Sequence, residues 1–154
     1  MSAILDIYDV LATKAVTVQD ITPTVYGLEH LPNAVEPAML PCRLLLPMQP
    51  RGEGRDWSFI ALGTTAKLTW HITDLLLWRG AASGIGLEDI ASVLVGYAGA
   101  YAEMLRGNRS MGQSQSHIVS ARFVYGTFQF PESDQGMSFD GCAVELDIEE
   151  VLSG

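Results

Sequence analysis

The sequence predicts an α+β domain: a mainly antiparallel sheet, helices packed on one face of it, and a C-terminal β-hairpin. Three observations predict this. Two stretches carry apolar residues at helical spacing, several others alternate with a period of two, and their order lacks the βαβ repeat of a parallel sheet. The 154 residues fit one domain over 1–154. Hydrophobic residues make up 48% and charged residues 18%, enough for a core and too apolar for a disordered chain.

Taken in order, Ile4, Tyr8, Leu11, Ala12 and Ala15 recur on one helical face, with Asp6, Asp9 and Lys14 off it and Ser2 placed to cap the start. From Val16 to Pro41, four prolines forbid a long helix and remove ladder donors. This reads as an extended segment crossing the surface, with a short strand near Thr24 to Gly27. CRLLLP, Cys42 to Pro47, is a short apolar strand, and QPRGEGRD, Gln49 to Asp56, is a polar loop.

A strand begins at Leu68. Leu68, Trp70, Ile72, Leu76 and Trp78 lie on one face; Thr69, His71, Thr73 and Arg79 lie on the other. Asp74 interrupts the apolar face and marks a bulge or a solvated end. Leu87 to Leu105 is the second helix, in which Gly96, Gly99 and Ala100 suggest close approach to the sheet. Arg109 to Ser116 is a polar loop. His117 to Phe130 and Phe139 to Val151 are the strands of the hairpin, joined by the turn PESDQG.

The charge balance narrows the function classes. Eighteen acidic against nine basic residues leave a net charge of -9, which excludes a cationic nucleic-acid surface. The N-terminus has no basic region ahead of its apolar pattern, and Asp6 and Asp9 interrupt it, so no signal peptide is expected. The apolar stretch Ile90 to Ala102 is short of the ~20 residues that span a bilayer. Cys42 and Cys142, isolated and far apart, read as reduced core residues.

The stretch RGAASGIGLEDIASVL, Arg79 to Leu94, looks like the glycine run of short-chain dehydrogenases. Its setting excludes a dinucleotide site. About half of the chain precedes it, and the residues after Arg106 read as a loop and a hairpin rather than βαβ units. The acidic ribose ligand expected ~20 residues on falls near Arg106. Tyr97 is followed four residues later by Tyr101 rather than the family's lysine. The glycines Gly80, Gly84 and Gly86 are therefore read as reversing the chain, with Ser83 helping to cap the helix. No cofactor is expected.

Other side chains offer little chemistry. His30, His71 and His117 show no metal-ligand spacing, and no nucleophile elbow is present, so no catalytic or metal residue is assigned. Glu145, Asp147 and Glu149 alternate with Val144, Leu146 and Ile148, which places three like charges along one strand face. They read as a solvated or assembly face. Arg51, Arg55, Arg106 and Arg109 read as loop cations, either plainly solvent-facing or placed to meet acidic partner surfaces, and Trp57 as the tryptophan nearest such a loop.

The order of elements resembles the tail terminator (tail-completion, minor tail) proteins of long-tailed bacteriophages. The resemblance runs from about Ile4 to Val151. It rests on the proline-broken segment LEHLPNAVEPAMLPCRLLLP (Leu31, Pro32, Pro37, Leu40, Pro41), the strand ending LLLWRG, the long helix, and the hairpin ending FDGCAVELDIEEV with Gly141. The 106–117 loop and the glycine cluster depart from the pattern. The resemblance implies a homo-oligomeric ring, commonly a hexamer, in the virion tail and assembled in the host cytoplasm. Such a ring caps the tail tube, stops its polymerisation and meets the head-tail connector or neck protein, with no membrane partner and DNA only in transit through the lumen. An acidic lumen face at Glu145, Asp147 and Glu149 would repel phosphates. The alternative is a small α+β domain that binds a hydrophobic ligand or serves as a dimeric enzyme subunit, with Trp70, Trp78 and Met104 lining a pocket.

Overall fold

The computed structural model describes residues 2–47, 58–81, 87–131 and 136–153. The loop carrying Arg51, Arg55 and Trp57, the glycine turn with Ser83, Gly84 and Gly86, and most of the PESDQG turn lie outside the described residues.

The first helix, α1, runs Ile4–Thr13 and buries Ile7, Tyr8 and Leu11 while Asp6 and Asp9 face outward. It stops short of Ala15. The side chain of Thr13 turns back onto the Val10 carbonyl at 2.7 Å, and Lys14 is already extended, its carbonyl accepting from Arg43 Nη1 at 2.6 Å. The proline-rich segment then gives β1 (Thr24–Tyr26) and two 3-10 turns before β2 (Cys42–Leu46).

Beyond the loop come β3 (Ser58–Leu62) and β4 (Thr65–Gly80). Gly63, at φ +65°, starts the two-residue turn between them, a conformation that costs glycine nothing. A 3-10 turn at Leu87–Ile90 leads into α2 (Ala91–Gly107), and β5 (Ser116–Phe130) and β6 (Met137–Ser153) form the terminal hairpin.

The six described strands make one sheet in the order β1-β2-β4-β6-β5, with β3 also on β4. Among them, only β1 and β2 are parallel. β2 pairs with Thr73 to Leu77 of β4 and β3 with Thr65 to Thr69, so both lie along one side of β4. The expected α+β class, the antiparallel sheet and the C-terminal hairpin are all present.

Both helices cover one face of the sheet. Ile7, Tyr8 and Leu11 of α1 and Val93, Leu94, Tyr97, Tyr101 and Leu105 of α2 pack on Leu45, Ile72, Leu76, Val144, Leu146 and Ile148. Gly96 and Gly99 do not bring α2 to the sheet: a Cβ on Gly96 would press on Val18, and Gly99 faces open space. The sheet contact is made by the tyrosines instead. The opposite face holds a second core of Leu44, Leu75, Leu77, Phe128, Phe139 and Ala143, closed by Val35. The extended segment therefore does more than cross the surface, since it drives Val35 into this core with Leu31, Met39 and Leu40 packed around it.

Cys42 and Cys142 are buried and free, one in each core. Burial pushes the thiols up to about 11 and about 12, respectively. Among the described residues, no helix is long and apolar enough to cross a membrane.

Candidate functional site

Strand parity sets the site. In β6, Cys142, Val144, Leu146 and Ile148 point toward the helices, so Glu145, Asp147 and Glu149 share the opposite face. That face is shared by Lys67, Thr69, His71 and Thr73 of β4 and by His117, Ser120 and Arg122 of β5: Thr69 and His117 stand opposite Glu149, His71 and Ser120 opposite Asp147, Thr73 and Arg122 opposite Glu145, and Lys67 one pair along, opposite Val151.

The register converts the expected row of like charges into cross-strand pairs. Lys67 Nζ lies 2.7 Å from Glu149, and His71 Nδ1 lies 2.5 Å from Asp147. Ser120 Oγ donates to the other Asp147 oxygen at 3.0 Å, and Arg122 Nη1 stands 3.9 Å from Glu145. The repulsion expected along β6 is offset on both sides. The Lys67 pair is partly exposed and worth about 0.2–1 kcal/mol, while Arg122, mostly exposed and farther away, leaves Glu145 Oε2 without a hydrogen bond among the described residues. The face thus gathers three carboxylates against two permanent cations and two histidines, His71 and His117, a weaker negative field than β6 suggests by itself. Ser120 donates to Asp147 rather than standing against the imidazole, so His71 and Asp147 form a rung of this ladder.

The arginines separate. Arg106 is not in a loop; it sits in the last turn of α2 and pairs with Glu103 at 2.8 Å. Arg109 is exposed in the turn after α2, where its carbonyl accepts from the Ile118 amide at 2.8 Å. The 109–116 loop has a core contribution after all, because Met111 is buried at φ +49°. Arg79 leaves the wetter face. A bulge between Leu77 and Arg79 turns it toward the helices, where Nε donates to Asp140 at 2.9 Å and Nη1 and Nη2 grip Asp89. Arg79 holds the Asp89 carboxyl below its ordinary range.

Asp74 corrects the sequence reading most sharply. It is neither solvated nor in a bulge but fully buried, as is Arg43. Arg43 Nη2 meets Asp74 Oδ2 at 2.5 Å while Nε reaches both carboxylate oxygens at 3.2 Å. Tyr101 donates to the same Oδ2 at 2.7 Å, and the guanidinium lies 5.6 Å from the centre of the Tyr101 ring. Burial pulls the guanidinium down, but the Asp74 charge outweighs it and the net shift is upward. Burial also raises Tyr97 and Tyr101 well above the ordinary phenol value.

Glu150 is a second buried carboxylate. It accepts from the Ala3 amide at 2.7 Å, Ser2 Oγ at 2.9 Å and Trp70 Nε1 at 3.0 Å. Ser2 is not the cap: that position is Ala3, which makes no side-chain capping bond, and Ser2 stands one residue ahead with its Oγ accepting from the Ile4 amide at 3.3 Å. Trp70, Trp78 and Met104 pack against the helix-side core.

Large apolar side chains are exposed at the sheet's edges. Phe59 and Ile60 of β3 are 62% and 53% exposed. Val119 and Tyr125 of β5 and Val95 of α2 are exposed at the far side. Between the end of α2 and β5 lies a hollow of about 180 Å³ lined by Leu105, Ile118, Val119 and Ala121, with Arg106 and Arg109 beside them. No known protein family, curated protein or solved structure matches the chain.

Proposed function

We propose that this chain is a structural subunit that assembles into a closed ring, and that the ring is the terminator of a long phage tail. One observation carries the assembly reading: besides the short β1, a sheet with long strands has two edge strands on opposite sides, β3 and β5, that carry exposed apolar side chains. Open edges of this kind are templates for another chain. Opposite edges of one sheet, when joined head to tail, close into a ring if the rotation allows. The phage assignment comes from the sequence resemblance, in which the ring caps the tube and meets the connector.

In this reading the Glu145, Asp147 and Glu149 face lines the lumen and the helices lie outside. Its paired charges give it no cation excess, so passing DNA finds nothing to hold it. The reading assigns no bond-making step to any side chain. Light scattering and electron microscopy of the purified protein test it. The expected result is a closed ring near six copies. A monomer at high concentration would overturn it and favour the ligand-binding alternative.

A further inference from the structure

We propose that the outer edge of β3 in one copy pairs with the outer edge of β5 in the next, seating Phe59 in the hollow between α2 and β5. This rests on the ring reading and names its contact.

Among the described residues the two edges are unprotected in the same way. Natural edge strands are blunted by charge, proline, shortness or a covering loop. The sequence from Ser58 to Leu62 has no charge and no proline; that from Ser120 to Phe130 has no proline and one charge, Arg122. The 109–116 loop covers only the start of β5, through the Arg109 carbonyl on the Ile118 amide, and the bulge between Ile118 and Ser120 comes directly after. Beyond it, no described strand takes the outer side of β5, and none takes the outer side of β3.

Face parity fits the pairing. Phe59 stands opposite Leu68, on the helix side of the sheet, and Ile60 stands opposite Lys67 on the other side. Ile118 and Ala121 of the hollow stand opposite Ile148 and Leu146, also on the helix side. In a sheet continued from copy to copy, Phe59 therefore arrives on the side where the hollow opens. The five residues of β3 span ~17 Å, enough for a short ladder.

Apolar complementarity selects a second copy as occupant. The hollow is lined by Leu105, Ile118, Val119 and Ala121, and β3 of the same chain carries an exposed aromatic, Phe59, on a strand without charge. Arg106 at the rim is paired with Glu103 and Arg122 lies on the other face with Glu145, so an apolar side chain rather than a carboxylate fits the seat.

Disulfide trapping tests the contact. Phe59→Cys and Val119→Cys variants are made separately, mixed, and oxidised. The native thiols Cys42 and Cys142 are buried and out of reach. The mixture should give covalent dimers, each variant alone none, and the double variant a ladder that ends at the ring number. In parallel, Phe59→Asp should weaken association at least tenfold with unchanged circular dichroism. If the wild-type particle is a ring but the mixture does not link, the contact is wrong and the ring reading stands. Dimers from either single variant would overturn the head-to-tail arrangement. A wild-type monomer with no trapping would remove both.

Discussion

Asp74 accepts from Arg43 and Tyr101 with no exposure to solvent, so among the described residues its carboxylate is held by those partners. Removing one member strands the other in a medium that solvates ions poorly. Asp74→Ala should cost about 3–5 kcal/mol in urea denaturation, whereas Arg43→Met combined with Asp74→Leu should recover most of the loss. The two charges are visible in the sequence as single opposite signs inside the apolar runs CRLLLP and TDLLLW. Their partnership is not, because it depends on β2 lying beside β4 in a register that places Leu45 opposite Asp74 and Arg43 opposite Leu76. The same holds for Lys67, His71 and Arg122, which stand against a row that looks unpaired when β6 is read alone. A second consequence concerns alkaline pH. Burial raises Cys42, Cys142, Tyr97 and Tyr101, so these groups stay protonated in the folded chain after their unfolded counterparts ionise. The unfolded state then holds fewer protons, and stability falls as pH rises. The fall should begin near pH 9 for the thiols and near 10 for the phenols, at about 1.4 kcal/mol per pH unit for each group still protonated. Urea midpoints from pH 8 to 11 measure it, and Cys142→Ala should flatten the slope by one group.

At the scale of elements, α1 is anchored from the far end of the chain. Glu150 holds the Ala3 amide and Ser2 at the helix start and the Trp70 indole beside them, so one β6 side chain ties α1 to the sheet. Glu150→Ala takes this acceptor from three half-buried donors; it should cost about 1–3 kcal/mol and shift Trp70 fluorescence to the red as water reaches the ring. Gly141 sets the position of the β4 bulge. A Cβ there would collide with the Leu76 carbonyl of β4, a backbone atom with nowhere to go. Gly141→Ala should therefore lower stability by on the order of 3 kcal/mol, with the loss read as a reduced urea midpoint. These elements were unequally legible. The helices and the hairpin announced themselves because long periodic stretches carry their own signal. β3 did not, because five residues on an exposed edge have no buried face to impose alternation. Gly96 and Gly99 suggested a close helix-sheet contact, yet large tyrosines fill that layer, so small residues marked where Val18 approaches and where nothing does.

For the whole molecule, the net charge and the proposed contact pull in opposite directions. Copies carrying -9 repel one another at long range, while the inferred seam joins backbone groups and an aromatic side chain, interactions that salt does not screen. The local pull of Arg106, Arg109 and Arg122 acts over a smaller area than the repulsion between whole chains. Raising salt shortens the Debye length from about 14 Å to about 4 Å between 0.05 and 0.5 M, which removes repulsion between bodies whose centres lie farther apart than that. Association should thus strengthen with salt, by several-fold in the dissociation constant from sedimentation across that range. An assembly held mainly by ion pairs would dissociate instead, and the seam would then have to run through the arginines rather than through Phe59. Arg122→Ala separates the two further: it should leave the direction of the salt response unchanged if the edge ladder and its apolar seat dominate, and reverse or abolish assembly if charge pairing does.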